Sequence, residues 1–254
     1  PYFNLIKAFI QQQQFNKANE VLSEYLQTHA KNKDYHLLKA LIAESQGNLD
    51  KAFEIYRQII EIYGKDAEIF NILGNLSDDQ NKLHQAQNYF QQAHLLELDN
   101  PDYLNNLGYI LDRLEQFQAS EAAFKKSVDK FGDDPVVWNN LGNLYVKIEK
   151  YNKAHEAYQK SRKLDPEYID AWNNEGQLYL EEGKIEIAQS FIERAVEIDD
   201  SNPYVLDSLG KVYELKNDHE NARRMYRKAF RLLPEDSEIQ ENYERFAKNR
   251  SPQN

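Results

Sequence analysis

Apolar residues along this chain fall into short helical faces that come in pairs. In residues 135–168, Trp138, Leu141, Gly142 and Tyr145 stand at i, i+3, i+4 and i+7, the spacing of one face of a helix. Tyr151, Ala154, Tyr158 and Ser161 form a second such face. A short polar turn separates the two, and Gly47 and Gly183 occupy that turn in two other copies. The pattern predicts a helix, a tight turn and a second helix.

The pair then repeats. Gly74, Gly108, Gly142, Gly176 and Gly210 follow one another at a fixed step of 34, and Trp138 and Trp172 obey the same step. Ala18, Ala52, Ala86, Ala154, Ala188 and Ala222 share another phase, interrupted at Ser120, and Pro101, Pro135 and Pro203 a third. A period of this size marks an array of stacked supersecondary units. Seven units follow: 1–32, 33–66, 67–100, 101–134, 135–168, 169–202 and 203–236. Proline at the first position presets φ for a helix start. Glycine at the eighth costs about 1 kcal/mol in a helix relative to alanine. Its recurrence predicts close approach of the second helix, with the small alanine of position 20 opposite. Three copies depart from the pattern, with Ile6 and Ala40 at the glycine position and Glu175 in place of the Leu of position 7 in the sixth copy.

After Asp236 the pattern changes. Ser237 and Gln240 have the spacing of a capping box. Ile239, Tyr243 and Phe246 make an apolar face opposite Glu241, Glu244, Arg245 and Lys248. A capping helix over 237–250 is expected, as arrays need to cover their last core face, with a tail at 251–254.

The stretch from Trp138 to Tyr145, WNNLGNLY, followed by Ala154, Tyr158 and Pro166, resembles the tetratricopeptide repeat signature, and the resemblance covers essentially the whole chain. It implies an all-α solenoid, a right-handed superhelix of about seven helix pairs plus the capping helix. It also implies a concave groove lined by the first helices.

Composition narrows the chemistry. The 254 residues carry a net charge of −11 and no cysteine. Disulfides, thiolate nucleophiles and cysteine-ligated metals are excluded. The negative charge argues against nucleic acid as partner. No apolar run is long enough to span a bilayer, so direct membrane insertion is not expected. The compartment stays open: the cytoplasm is favoured, and an exported location is compatible if an upstream signal was removed. The common nucleotide-binding, hydrolase and zinc-protease motifs are absent. The six histidines are scattered without metal-ligand spacing. Neither a cofactor nor catalysis is expected.

A helical wheel sets positions 2, 5, 6, 9, 12 and 13 of the first helix opposite its core face. That face carries Asn71 and Asn75, then Asn105, Asn106 and Tyr109, then Asn139, Asn140 and Asn143, then Asn173, Asn174 and Gln177. Asparagine is poor inside helices because its amide competes for backbone hydrogen bonds. An amide offers donor and acceptor together, which suits gripping a peptide backbone. Asn also serves local helix–helix bonding in such repeats, so both roles stand at this point. Asn106, Asn140 and Asn174 are similar to the asparagine ladder in the repeats of O-linked N-acetylglucosamine transferases, which implies a hold on extended polypeptide.

The same face counts eleven carboxylates, Asp102, Asp112 and Asp170 among them, against four cations. Such a face favours cationic segments. Acids also occupy the positions where a carboxylate-clamp repeat domain needs cations. Leu37, Leu38 and Leu41 add an apolar patch, and Arg223, Arg224, Arg227, Lys228 and Arg231 a basic stretch. The expected function is a non-catalytic scaffold that binds a Lys/Arg-containing peptide or helix of another protein, with self-association possible. A recruiting arm of a larger enzyme such as a glycosyltransferase, or an assembly factor of a bacterial envelope complex, are the alternatives.

Overall fold

The computed structural model describes residues 2–132 and 134–248. Among them the chain forms fifteen helices and no strand. They are α1 (Tyr2–Gln11), α2 (Phe15–Thr28), α3 (Lys33–Ser45), α4 (Leu49–Tyr63), α5 (Ala67–Asp79), α6 (Leu83–Leu96), α7 (Pro101–Arg113) and α8 (Phe117–Phe131). The series continues with α9 (Pro135–Lys147), α10 (Tyr151–Leu164), α11 (Ile169–Glu181), α12 (Ile185–Ile198), α13 (Pro203–Leu215), α14 (His219–Leu232) and α15 (Ser237–Lys248). Seven consecutive pairs and a terminal helix make the all-α solenoid class. The tail 251–254 and the last two positions assigned to the capping helix lie outside the described residues.

Two compact units divide the chain, one through Ala123 and the other from Phe124. In the first, α1–α2, α3–α4 and α5–α6 pack as pairs and each pair packs on the next helix. Its largest core gathers Ile55, Tyr56, Ile59, Phe70, Leu73 and Leu76. In the second, α9–α10, α11–α12 and α13–α14 do the same, and α15 closes on α14 and α13. Ile192, Val205, Leu206, Leu209, Met225 and Ile239 form that core.

Five of the first helices are started by a side chain at the last position of the preceding copy, whereas Tyr168 before α11 makes no such bond. Asn32, Asp66, Asn100, Asp134 and Asn202 accept a backbone N–H of the helix they precede, which satisfies an otherwise orphaned donor. The same rule operates at α15 and corrects the capping-box reading. Asp236 Oδ1 accepts from the N–H groups of Glu238 and Ile239, both at 3.0 Å. Ser237 is already the first helical residue, and Gln240 donates outward to Glu244.

The turn within each pair is equally periodic. Gln13, Asn81, Glu115, Glu149 and Asn217 have φ between 55° and 60°, at the position of Gly47 and Gly183. The bonds are those of a Schellman turn; Lys82 N–H reaches Ser77 O at 2.8 Å and Asn81 N–H reaches Asp78 O at 2.7 Å. Sequence reading found this turn only where glycine marked it.

The glycine at position 8 is explained by a different partner from the one expected. A Cβ on Gly142 would sit 2.5 Å from the Tyr158 ring, and one on Gly74 2.5 Å from the Phe90 ring. The neighbour is therefore the large residue at position 24, not the alanine at position 20. Tyr158 is buried and its hydroxyl donates to Asn143 Oδ1 at 2.7 Å, so the ring cannot retreat easily. Gly142→Ala should destabilise the chain by about 1–3 kcal/mol through overpacking, although alanine is the better helix former. Urea unfolding measures this; a stabilised Gly142→Ala protein would refute the contact as the cause. Ser120, which interrupts the alanine series, is buried and donates to Gly108 O at 2.7 Å.

Candidate functional site

The polar face of the first helices is built separately in each unit. In the first unit, Asn106 Nδ2 of α7 donates to Asn71 Oδ1 of α5 at 2.9 Å. The bond links position 5 of one copy to position 6 of the next. In the second, Asn174 Nδ2 of α11 donates to both Asn139 Oδ1 and Asn143 Oδ1 of α9, each at 3.1 Å. The asparagines thus first tie neighbouring copies together. Among the described residues the Oδ1 atoms of Asn106 and Asn174 accept nothing, and both residues are half-buried.

The remaining predicted residues divide by exposure. Asn75, Asp102 and Tyr109 of the first unit are exposed, as are Asp170 and Gln177 of the second; Asn105 and Asn140 are half-buried. Gln177 Nε2 donates to Ser208 Oγ at 2.8 Å. Asp112, Asn139 and Asn173 are buried. Successive first helices α9, α11 and α13 pack on one another, which covers position 5 at Asn139 and Asn173, and none of the three buried residues is part of the exposed face. Helical-wheel spacing could not separate them, because a wheel treats each helix as if it stood alone.

The acidic count contracts for the same reason. Asp207 joins Asp112 among the buried groups. Asp78 is held by Arg113, and Glu214 by Arg245. Burial leaves Asp78 above its ordinary value even so, with Arg113 opposing. In the first unit Asp34, Glu68, Asp79 and Asp102 remain exposed, with Lys7 as an exposed cation of that face. In the second, Asp170 and Glu181 are balanced by Lys147 and Lys211. The excess of negative charge therefore belongs to the first unit.

The apolar patch expected from Leu37 and Leu41 opens a cavity of about 290 Å³ there, with Ile72 in its wall and Lys33, Asp66 and Glu68 at its edge. Leu38, by contrast, is buried in the core. Burial pushes Asp66 up, but Lys33 Nζ at 2.6 Å and the Ile69 N–H hold it below the usual carboxylate range. The basic stretch on α14 lies opposite buried Ala222, Met225, Tyr226 and Ala229, and Arg224, Arg227, Lys228 and Arg231 are exposed. No group of residues suited to hold a metal ion occurs among the described residues, and no described helix is long and apolar enough to cross a membrane.

Models of the tetratricopeptide repeat match residues 3–67 and 73–135, 135–168, and 169–202 and 204–236. No curated protein matches the chain in sequence. Among solved structures, a tetratricopeptide repeat protein from Parabacteroides merdae is 16% identical, covers 97% of each chain and has a TM-score of 0.81. PilW, described as a type IV pilus biogenesis factor, is 16% identical over 84% of this chain and 99% of its own, with a TM-score of 0.70. PilF of Pseudomonas aeruginosa is 18% identical over 86% and 97%, with a TM-score of 0.67. At these identities the likeness is one of fold.

Proposed function

The chain belongs to the tetratricopeptide repeat family, and from that premise we propose that it is a protein-interaction scaffold whose first-helix faces bind a peptide segment of another protein. The observation that carries the reading is the asparagine arrangement. Asn106 and Asn174 are each fixed through Nδ2 by the preceding copy while Oδ1 accepts no bond among the described residues. A side chain already held in place loses little entropy when it accepts a ligand N–H. Backbone would be gripped by these amides in each unit. Selection for Lys or Arg belongs to the first unit, where Asp34, Glu68, Asp79 and Asp102 stay exposed and Glu68 lines the Leu37–Leu41 cavity.

A peptide array of graded charge tests this with the intact chain. Lys/Arg-containing peptides should be retained at low salt and lost as ionic strength shortens the screening length. Asn75→Ala combined with Tyr109→Ala alters exposed groups of the first unit that hold no other copy in place. Equal retention by this variant, or binding indifferent to peptide charge and salt, would contradict the assignment.

A further inference from the structure

The copies differ at one packing position in a way that leaves a hole. In the sixth copy Phe191 of α12 packs between Trp172, at 5.4 Å between ring centroids, and Tyr179, at 5.0 Å. The fifth copy repeats both walls, as Trp138 and Tyr145 of α9, but carries Ala157 of α10 where Phe191 stands 34 residues later. Both walls and Ala157 line an open slot of about 430 Å³. About 150 Å³ is enough for benzene in an engineered apolar cavity.

Lys125, Lys153 and Lys160 line it with Asp129 and Glu156. Lys160 Nζ lies 4.0 Å from the centre of the Trp138 ring and Lys153 Nζ 5.6 Å from that of Tyr145. The excess of positive charge lies around the slot: over residues 124–131 of α8 and the whole of α10 the sequence places seven cations against those two carboxylates, in a chain of net charge −11. The Trp138 ring is fixed from behind, since its Nε1 donates to Gly132 O at 3.1 Å.

We propose that this slot is a second docking site, distinct from the first-helix faces, and that it takes a phenylalanine or tyrosine side chain from an acidic segment of a partner protein. The incoming ring would pack against Trp138 at a tilt, as Phe191 does against Trp172. Lys160 would leave the ring face to pair with a neighbouring carboxylate of the segment, and Lys153 would do the same at Tyr145.

The test uses the full chain and a fluorescein-labelled peptide, Gly-Glu-Glu-Phe-Glu-Asp-Gly, read by fluorescence anisotropy. Saturable binding is expected. A peptide with Ala for Phe, or with Lys for its acids, should bind at least tenfold more weakly. Ala157→Phe should fill the slot as Phe191 does, keep or raise the melting temperature, and lower affinity at least tenfold. Lys153→Glu with Lys160→Glu changes only exposed groups and should weaken binding comparably. The proposal is overturned if no saturation occurs up to about 1 mM, or if folded Ala157→Phe binds equally well. ATP saturating where the peptide does not would assign the slot to a nucleotide. Dimers of the wild-type chain that dissociate on Ala157→Phe would assign it to a second copy.

Discussion

Replacing Arg162 by Met should destabilise the second unit by about 3–5 kcal/mol, the usual result of stranding a buried charge. Glu175 is 2% exposed at position 7, where Leu73, Leu107, Leu141 and Leu209 stand in other copies. Arg162 donates to its Oε2 from Nε at 2.9 Å and Nη2 at 2.6 Å, while His155 Nδ1 lies 3.0 Å from Oε1. The other His155 nitrogen meets Glu182 Oε2 at 3.0 Å. Burial would raise Glu182, but its bonds to His155 and Lys184 hold it below the usual carboxylate range. Methionine keeps most of the arginine stem, which lies with its guanidinium over Trp172 and Phe191, and removes the charge. Adding Glu175→Leu to Arg162→Met should recover most of the loss, because an apolar pair can replace a buried ionic one at little cost. Urea midpoints of the two single variants and the double close the cycle. A double variant no more stable than Arg162→Met would mean that the carboxylate does not depend on this arginine.

The second large effect concerns the seat of the terminal helix. Asp207 of α13 is 8% exposed. Oδ2 accepts from Asn242 Nδ2 of α15 at 2.9 Å, and Oδ1 is buried without a partner among the described residues. Burial pushes its carboxyl up to about 7 from an ordinary 3.8; Glu238 and Asp236 add to the rise, while Asn242 and Lys211 oppose it. The folded state therefore holds this proton more tightly than the unfolded chain does. Its contribution to stability is complete below about pH 4, falls as pH rises towards 7, and is gone above 7. Asp207→Asn removes the titration. At pH 8 the variant should be more stable than wild type by about 2–4 kcal/mol, and the difference should shrink towards pH 4. Melting temperatures of both proteins across that range read the effect; parallel curves would refute it.

The fold was legible because period and packing coincide. Glycines, alanines, tryptophans and prolines recur at one step, and each step is one helix pair. The helix-starting residues were equally periodic, from Asn32 to Asp236, but Tyr168 breaks the series and prolines drew attention away from it. The positive-φ turn was hidden wherever Glu or Gln occupies it, since only glycine announces such a backbone. The site was legible in part. Wheel geometry found Asn75, Asp102 and Tyr109 on an open face, but it treats a helix as if alone and so counted Asp112, Asn139 and Asn173 as exposed. The Trp138 slot went unread because it is defined by a missing side chain. It emerges only when Ala157 is compared with Phe191 and both walls are seen to be retained.

Asn242 donates to Asp207 across 35 residues, as Asn106 does to Asn71 and Asn174 to Asn139. The terminal helix is therefore attached by a coupling common to the series, not by one special to the last pair. Excision of residues 203–236 would bring Asn242 against Asn173, whose buried Oδ1 has no partner among the described residues. Shortening the gene by one unit would then leave the end fitted without any compensating change. The asparagines give such a chain a ready means of varying in length over evolutionary time.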